Sequence, residues 1–249
     1  MKIRWFGHSA FELVTAQGKR LITDPYTPSE QLTYDPISEA ADIVTISHDH
    51  WDHAGIGEIR GTPEVIRDVV RREVRGVVIE GFFSYHDNQH GEARGDNIIF
   101  QVLADNLRTV HLGDLGAVPA QSVMDSLYGA DILMIPVGGV YTIDPVVAHD
   151  MTRRIQPRMV IPMHYSNPKC SFLAYGADDF ARYFGDDTDR CTSLVLVPED
   201  INSARGTRLC IMESIRRRSY RLMNLSAQWK ILSWKQTITF HVMCTMHSS

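Results

Sequence analysis

The chain has 249 residues, of which 44% are hydrophobic and 22% charged, an ordinary globular composition with enough apolar material for one substantial core. A formal net charge of −5 argues against a general nucleic-acid binder, and no run reaches the roughly 18 apolar residues of a membrane span. The opening MKIRWFGHSAFELVTAQG lacks a continuous apolar stretch and Cys170, Cys191, Cys210 and Cys244 form no CxxC pair, so the expectation is a cytoplasmic protein with reduced thiols.

Short β-rich runs come first: KIRWFG, AFELVT, KRLITDP and ADIVTIS, each bounded by Gly, Asp or Pro. TPEVIRDVVRREV, residues 62–74, has apolar positions at helical spacing. Pro63 suits a first turn after Thr62, and the segment is predicted as a helix. Strands are predicted in GVVIEGFFSYH, NIIFQVLA and RTVHLGD, then a helix near 119–128 and a strand in DILMIPVGG. A helix near 145–155 leads to RMVIPMHY, and the helix GADDFARYF leads to strands in SLVLVPE and TRLCIME. Strands dominate the first half and alternate with helices in the second, which predicts two sheets, or one large one, covered by helices.

No fixed-period repeat or Gly/Ser linker interrupts this pattern, and one domain is expected over residues 1–213. Residues 214–249 lack Asp, Glu, Gly and Pro and read as a basic tail without a catalytic role. Eight Lys/Arg and one acidic residue fall after Ala204, leaving residues 1–204 at −12. An acidic body therefore carries a basic tail.

The densest chemistry lies in ISHDHWDHAG, where three histidines and two aspartates fall within His48–His53. ADIVTIS reads as a buried strand with His48 just beyond its end. In an extended segment His48, His50 and Asp52 share one side and Asp49 faces the other. His53 joins them only if the chain turns, and HAGIG supplies glycines for a turn. Such a loop offers four ligands to two adjacent ions, and imidazole with carboxylate suits Zn²⁺, with Mn²⁺ or Fe²⁺ as alternatives. The competing reading is a histidine-rich surface loop.

His48-x-His50-x-Asp52-His53 resembles the signature of the metallo-β-lactamase superfamily. The resemblance covers about residues 1–213 and implies an α/β (α+β) fold, an αββα sandwich of two mixed β-sheets flanked by helices, with metals at one end of the sheets. Further positions match the family in order: Asp24 in LITDPY, His86 in FFSYHD, Asp114 in HLGDLG and His164 in VIPMHY. The resemblance implies one ion on His48, His50 and His86, a second on Asp52, His53 and His164, and Asp114 bridging them. WFGHSAFEL, HLGDLG, IPVGGVYTID and IPMHY are further similar to the ascorbate-6-phosphate lactonase group.

Two cations about 3.5–4 Å apart share a water and lower its pKa from about 15.7 toward about 7. The implied reaction is hydrolysis without a covalent enzyme intermediate, with Asp52 and Asp114 as catalytic residues and Asp52 orienting the water or shuttling its proton. The expected substrate is a small ester, lactone or phosphodiester. The alternatives are a nucleic-acid phosphodiesterase of the same fold, disfavoured by the acidic body, and an inactive metal-binding or interaction protein. A redox role is disfavoured because the oxygen-reducing branch has a carboxylate where this chain has His50. A small-molecule substrate and no membrane partner are expected, with homo-oligomerisation left open.

Around the ligands, Asp24 is expected to hold the signature loop in shape, and His111 to orient Asp114 from behind. His8 reads equally as a hydrogen bonder near the ligands and as a structural histidine. Gly138 and Gly139 suit a tight turn or a close backbone approach. Tyr141, Tyr165 and Asn97 are candidate substrate-pocket groups, and His90, His149, His241 and His247 match no ligand position.

Overall fold

Sequence runs rich in Ile, Val, Leu and Phe become two mixed sheets in the computed structural model, which describes residues 1–185, 187–202, 206–215, 230–233 and 236–239. The first half contributes β1 (Lys2–Gly7), β2 (Ala10–Val14), β3 (Arg20–Thr23), β4 (Ile43–Thr45), β5 (Glu64–Ile66), β6 (Arg71–Val74), β7 (Val77–Tyr85), β8 (Asp96–Ala104) and β9 (Leu107–His111). The second half alternates: α1 (Gln121–Leu127), β10 (Ile132–Pro136), α2 (Pro145–Ile155), β11 (Met159–Met163), α3 (Ala177–Ala181), β12 (Thr188–Cys191), β13 (Ser193–Val195), α4 (Pro198–Asn202) and β14 (Arg208–Met212). In the tail, β15 (Lys230–Ser233) and β16 (Gln236–Thr239) form an antiparallel hairpin.

The six-stranded sheet runs β13-β1-β2-β3-β4-β5 and the eight-stranded sheet runs β12-β14-β11-β10-β9-β8-β7-β6. β10 and β11 are parallel and buried at every residue, as continuous apolar strands covered on both faces must be. α2, which joins them, packs on β10 and α3 packs on β11. Asp144 caps α2 by accepting the Val146 and Val147 amides at 2.9 Å each, and Pro145 takes the first turn where no amide partner is needed. Ala148, Met151, Thr152 and Ile155 form its buried face. The core between the sheets is filled by fully buried side chains such as Ile3, Phe11, Ile22, Phe100, Val110 and Leu133.

Residues 62–74 do not form the predicted helix. They split into β5, pairing parallel with β4, and β6, pairing antiparallel with β7. Val65, Ile66, Val69, Val70 and Val74 satisfy helical spacing, yet all are β-branched and favour the pleated surface of a strand. Arg75 and Gly76 then close a two-residue hairpin with φ of 53° and 83°, both left-handed as such turns demand. β12 was not expected because TDRC has no apolar alternation; it is the edge strand beside β14.

Cys170, Cys191 and Cys210 are buried free thiols, and Cys244 lies outside the described residues. No helix among the described residues is long and apolar enough to cross a membrane. The pairing pattern makes β7, β9, β10 and β11 point the same way, and β3 and β4 are parallel to each other. The segments carrying His86, Asp114, Gly138 and His164 therefore leave the carboxyl end of the eight-stranded sheet, where ligand sites of such sheets collect.

Candidate metal centre

Asp24 follows β3 in a left-handed conformation, φ 36°, and is fully buried. Its Oδ1 accepts the Ser47 amide at 2.8 Å, and its Oδ2 accepts the Ser47 hydroxyl at 2.6 Å and lies 3.0 Å from His53 Nδ1. The loop of residues 46–54 is thus tied to Asp24 on both sides of its histidine run. The turn comes earlier than the glycines suggested: the His53 and Ala54 amides both donate to the His50 carbonyl, at 3.0 and 2.9 Å. This swings His53 inward to complete burial, while His50 stays exposed.

Eight side chains converge beyond the strand ends. Nitrogens of His48, His50 and His86 lie within 4.8 Å of one another, and so do donor atoms of His8, Asp52, His53 and His164. Asp114 sits between these groups. Its Oδ2 is 3.0 Å from His164 Nε2, 3.5 Å from His86 Nε2 and 3.9 Å from His48 Nε2, and its Oδ1 is 3.1 Å from His53 Nε2. His48 Nε2, His86 Nδ1 and His164 Nδ1 are buried without a hydrogen-bond partner, and His53 Nε2 and Asp114 Oδ1 face only each other. Orphaned buried polar atoms are costly, and so many in one cluster fit bound cations, since imidazole nitrogen and carboxylate oxygen are the donors Zn²⁺, Mn²⁺ and Fe²⁺ accept.

The electrostatics agree. Burial and the neighbouring His53 charge push His48 down to about 3, and burial with the His164 charge pushes His8 down to about 4. Burial also lowers His86. These rings are neutral at pH 7, the form that ligates metal. Burial alone would neutralise Asp114, yet His164 and His53 hold its carboxyl well below the usual range. Burial opposes the charge of His53 as well, but Asp114, Asp24 and Asp52 raise it well above 6.5. Three carboxylates around one imidazolium leave a surplus of negative charge.

The remaining candidates separate. His8 Nε2 is 3.2 Å from Asp52 Oδ2 and its ring packs 4.2 Å from that of His164, so it touches the cluster directly. His111 is bonded to the residue before Asp114: its Nε2 donates to the Ser9 carbonyl at 2.8 Å and its Nδ1 accepts the Gly113 amide at 3.2 Å. Asn97 is bonded to Asp114 itself. It is fully buried, and its Oδ1 accepts the Asp114 amide at 2.9 Å while its Nδ2 donates to Ser84 and to the Leu112 carbonyl. Asn97 is therefore not a pocket group. Nor is Tyr165, a buried ring stacked on Trp5. Asp49 points away, pairing with Arg67 at 3.0 Å. His90 packs on Tyr85 and His149 on Tyr183, while His241 and His247 lie outside the described residues.

Gly139 has φ of 63° and turns the chain toward Tyr141. Gly138 serves a close approach: a Cβ there would lie 2.2 Å from the His164 carbonyl oxygen. Gly138→Ala is expected to destabilise the protein by about 1–3 kcal/mol, read as a lowered denaturant midpoint, because backbone must move to admit the methyl. An unchanged midpoint would show that the His164 segment yields freely.

A cleft of about 300 Å³ opens over the cluster, reached by His50, Asp52, His86, Asp114 and His164. Its other walls are Trp51, Tyr141, Phe172, Gln31 and Arg94. Of these the sequence pattern pointed only to Tyr141. The rest come from loops, and Phe172 and Gln31 lie outside every motif.

Residues 2–164 match the β-lactamase superfamily domain. A UPF0173 metal-dependent hydrolase of Pyrobaculum neutrophilum is 33% identical over 192 residues, covering 67% of this chain and 84% of that protein. One of Thermococcus onnurineus is 28% identical over 228 residues, covering 81% and 98%. Among solved structures, a Thermotoga maritima protein assigned to the Zn-dependent hydrolases of the metallo-β-lactamase superfamily aligns with a TM-score of 0.70 at 32% identity, over 85% of this chain and 97% of that one. A metallo hydrolase of Ignicoccus hospitalis, 19% identical, shares the fold with a TM-score of 0.56 over 97% and 99% of the two chains. The two mixed sheets are those of the metallo-β-lactamase fold, and the chain belongs to the β-lactamase superfamily, in the family of the UPF0173 metal-dependent hydrolases.

Proposed function

We propose that this protein is a cytoplasmic metal-dependent hydrolase of a small ester or lactone, working through two adjacent divalent ions, Zn²⁺ in the first instance. The observation that carries this reading is Asp114, a buried carboxylate whose two oxygens lie within 3.9 Å of ring nitrogens of His48, His53, His86 and His164. His48, His50 and His86 would hold one ion, Asp52, His53 and His164 the other, and Asp114 both. Bound there, the ions supply Lewis acidity and a water of lowered pKa.

The chain's own groups do the rest. Asp52 reaches the cleft, and although burial would raise its pKa, the bond from His8 and the charge of His53 keep it ionised. An ionised carboxylate at that point can orient an attacking water and take its proton. Relatives named as metal-dependent hydrolases support the reaction class, and the size of the cleft supports a small molecule. The similarity of the GHS, HLGD and PVGG stretches to lactonases favours ester or lactone over phosphodiester.

The test is a panel of lactones, carboxyl esters and phosphodiesters assayed with Zn²⁺, Mn²⁺ and Fe²⁺, alongside elemental analysis of the protein. Two ions per chain with turnover of an ester or lactone is the expected outcome. Less than one ion per chain after reconstitution, with no member of the panel hydrolysed, would overturn it. Exclusive cleavage of phosphodiesters would move the substrate class. His8→Ala removes the partner of Asp52 and is expected to lower metal affinity or kcat by about 10–100-fold. Unchanged affinity and kcat would make His8 a packing residue.

A further inference from the structure

One wall of the cleft carries a cation. Arg94 belongs to the segment that leaves β7 through His86 and returns at Asp96. Asp87 builds this segment: its Oδ1 accepts the Gln89 and Gly91 amides at 2.7 and 2.9 Å, and its Oδ2 those of Ala93 and Arg94 at 3.0 and 2.7 Å. Four bonds to one carboxylate fix the Arg94 backbone relative to His86, the residue immediately before Asp87.

The guanidinium lies over Tyr141, with Cζ 4.5 Å from the ring centroid, and its Nη1 makes only a long contact of 3.5 Å to the Val140 carbonyl. Among the described residues no carboxylate is within ion-pair distance of it, unlike Arg4, Arg20, Arg67 and Arg72, each of which has one. A guanidinium has five N–H donors, and stacking on a ring leaves its edge open to a planar anion. Beside it Trp51, Tyr141 and Phe172 offer aromatic surface, with Trp51 46% exposed. Arg94 is the cleft's one cationic side chain among the described residues, and Asp52 and Asp114 share the space. One planar donor fork matches a carboxylate bidentately, and with Asp52 and Asp114 in the same cleft a singly charged anion is repelled less than a phosphate dianion.

We infer that Arg94 is a specificity-determining residue: the substrate is an ester or lactone with an apolar body and a carboxylate remote from the bond cleaved, and Arg94 binds that carboxylate. The inference rests on the hydrolase reading of the same cleft. It adds no step to the reaction and acts on substrate affinity.

Two measurements on the full, zinc-loaded protein test it. The first compares wild type and Arg94→Gln on 4-nitrophenyl hydrogen adipate, its neutral methyl ester and the corresponding phosphonate. Wild type is expected to prefer the carboxylate over the neutral ester by at least ~10-fold, through KM, as a charge-assisted pair would give. Arg94→Gln is expected to bring that ratio near unity, with zinc content and the rate on the neutral ester unchanged. The second measures calorimetric binding of benzoate and of phenyl phosphate, which needs no turnover. Benzoate is expected to bind Arg94→Gln at least ~10-fold more weakly. If no ester is cleaved, the hydrolase reading fails while the benzoate arm still reads Arg94. Equal benzoate affinity in the two proteins overturns the inference, and so does an Arg94-dependent preference for phenyl phosphate.

Discussion

Asp114→Ala is expected to lower kcat/KM by at least about 10²–10³-fold, the scale of losing one preorganised electrostatic group, and to take the bound metal from two ions per chain toward one or none. No other carboxylate in the cluster reaches so many imidazoles: His164, His53, His86 and His48 all lie within 3.9 Å of its oxygens. In the proposed centre it is the shared anion, so its removal takes a ligand from both ions at once. It is also buried, and removing one partner of a buried charged set costs about 3–5 kcal/mol, so lowered stability is expected too. His50→Ala separates the two effects. His50 is exposed, and truncating an exposed side chain usually shifts stability by no more than about 0.5 kcal/mol. Its variant is expected to match the denaturant midpoint of metal-free wild type while losing metal and activity. Elemental analysis, kcat/KM and urea melts of both variants are the measurements. Full metal content and full activity in either variant would mean the proposed centre is wrongly assigned.

The strands and the site differ in how far they can be read from sequence. β10 and β11 announce themselves because a continuous apolar run in DILMIP and MVIPM has no stable home except a strand covered on both faces. α2 is legible to the residue, since Pro145, the Asp144 cap and an apolar stripe agree. The segment 62–74 misleads because helical spacing and β-branched composition disagree there, and the partner strands β4 and β7 decide between them. The histidine-rich loop is legible because its donors lie within six consecutive positions, so local geometry nearly suffices. Asn97 and Arg94 are not. Asn97 meets Asp114 through a hairpin register, and Arg94 reaches the cleft through amide bonds to Asp87, and neither relation leaves a periodic trace in the chain.

Asp24→Asn is expected to reduce metal affinity by about 10–100-fold while preserving the fold, although Asp24 is no member of the proposed ligand set. A carboxylate only accepts hydrogen bonds, so Oδ2 takes the proton of His53 Nδ1 at 3.0 Å and that of Ser47 Oγ at 2.6 Å. Ser47 Oγ, its own proton committed, accepts from His48 Nδ1 at 2.9 Å. Both rings thereby turn Nε2 toward the cluster and Asp114, where a bound ion would take the Nε2 lone pair in place of any proton there. Asp24 thus sets the tautomer of one histidine in each proposed ion group. In the asparagine variant Oδ1 can still accept the Ser47 amide, which at 2.8 Å ties the loop. The amide nitrogen then stands where Oδ2 was and donates to both Ser47 Oγ and His53 Nδ1. His53 must accept at Nδ1 and carry its proton on Nε2. Ser47, now receiving, donates onward to His48 Nδ1, which moves that proton to Nε2 as well. Two ligand atoms become donors without any change of shape. Zinc competition titrations and imidazole ¹⁵N shifts of the zinc-free variant are the measurements: weaker zinc binding with Nε2–H tautomers is expected, against a wild-type denaturant midpoint within about 1–2 kcal/mol. Wild-type zinc affinity in Asp24→Asn would show that the two rings hold their tautomers without Asp24.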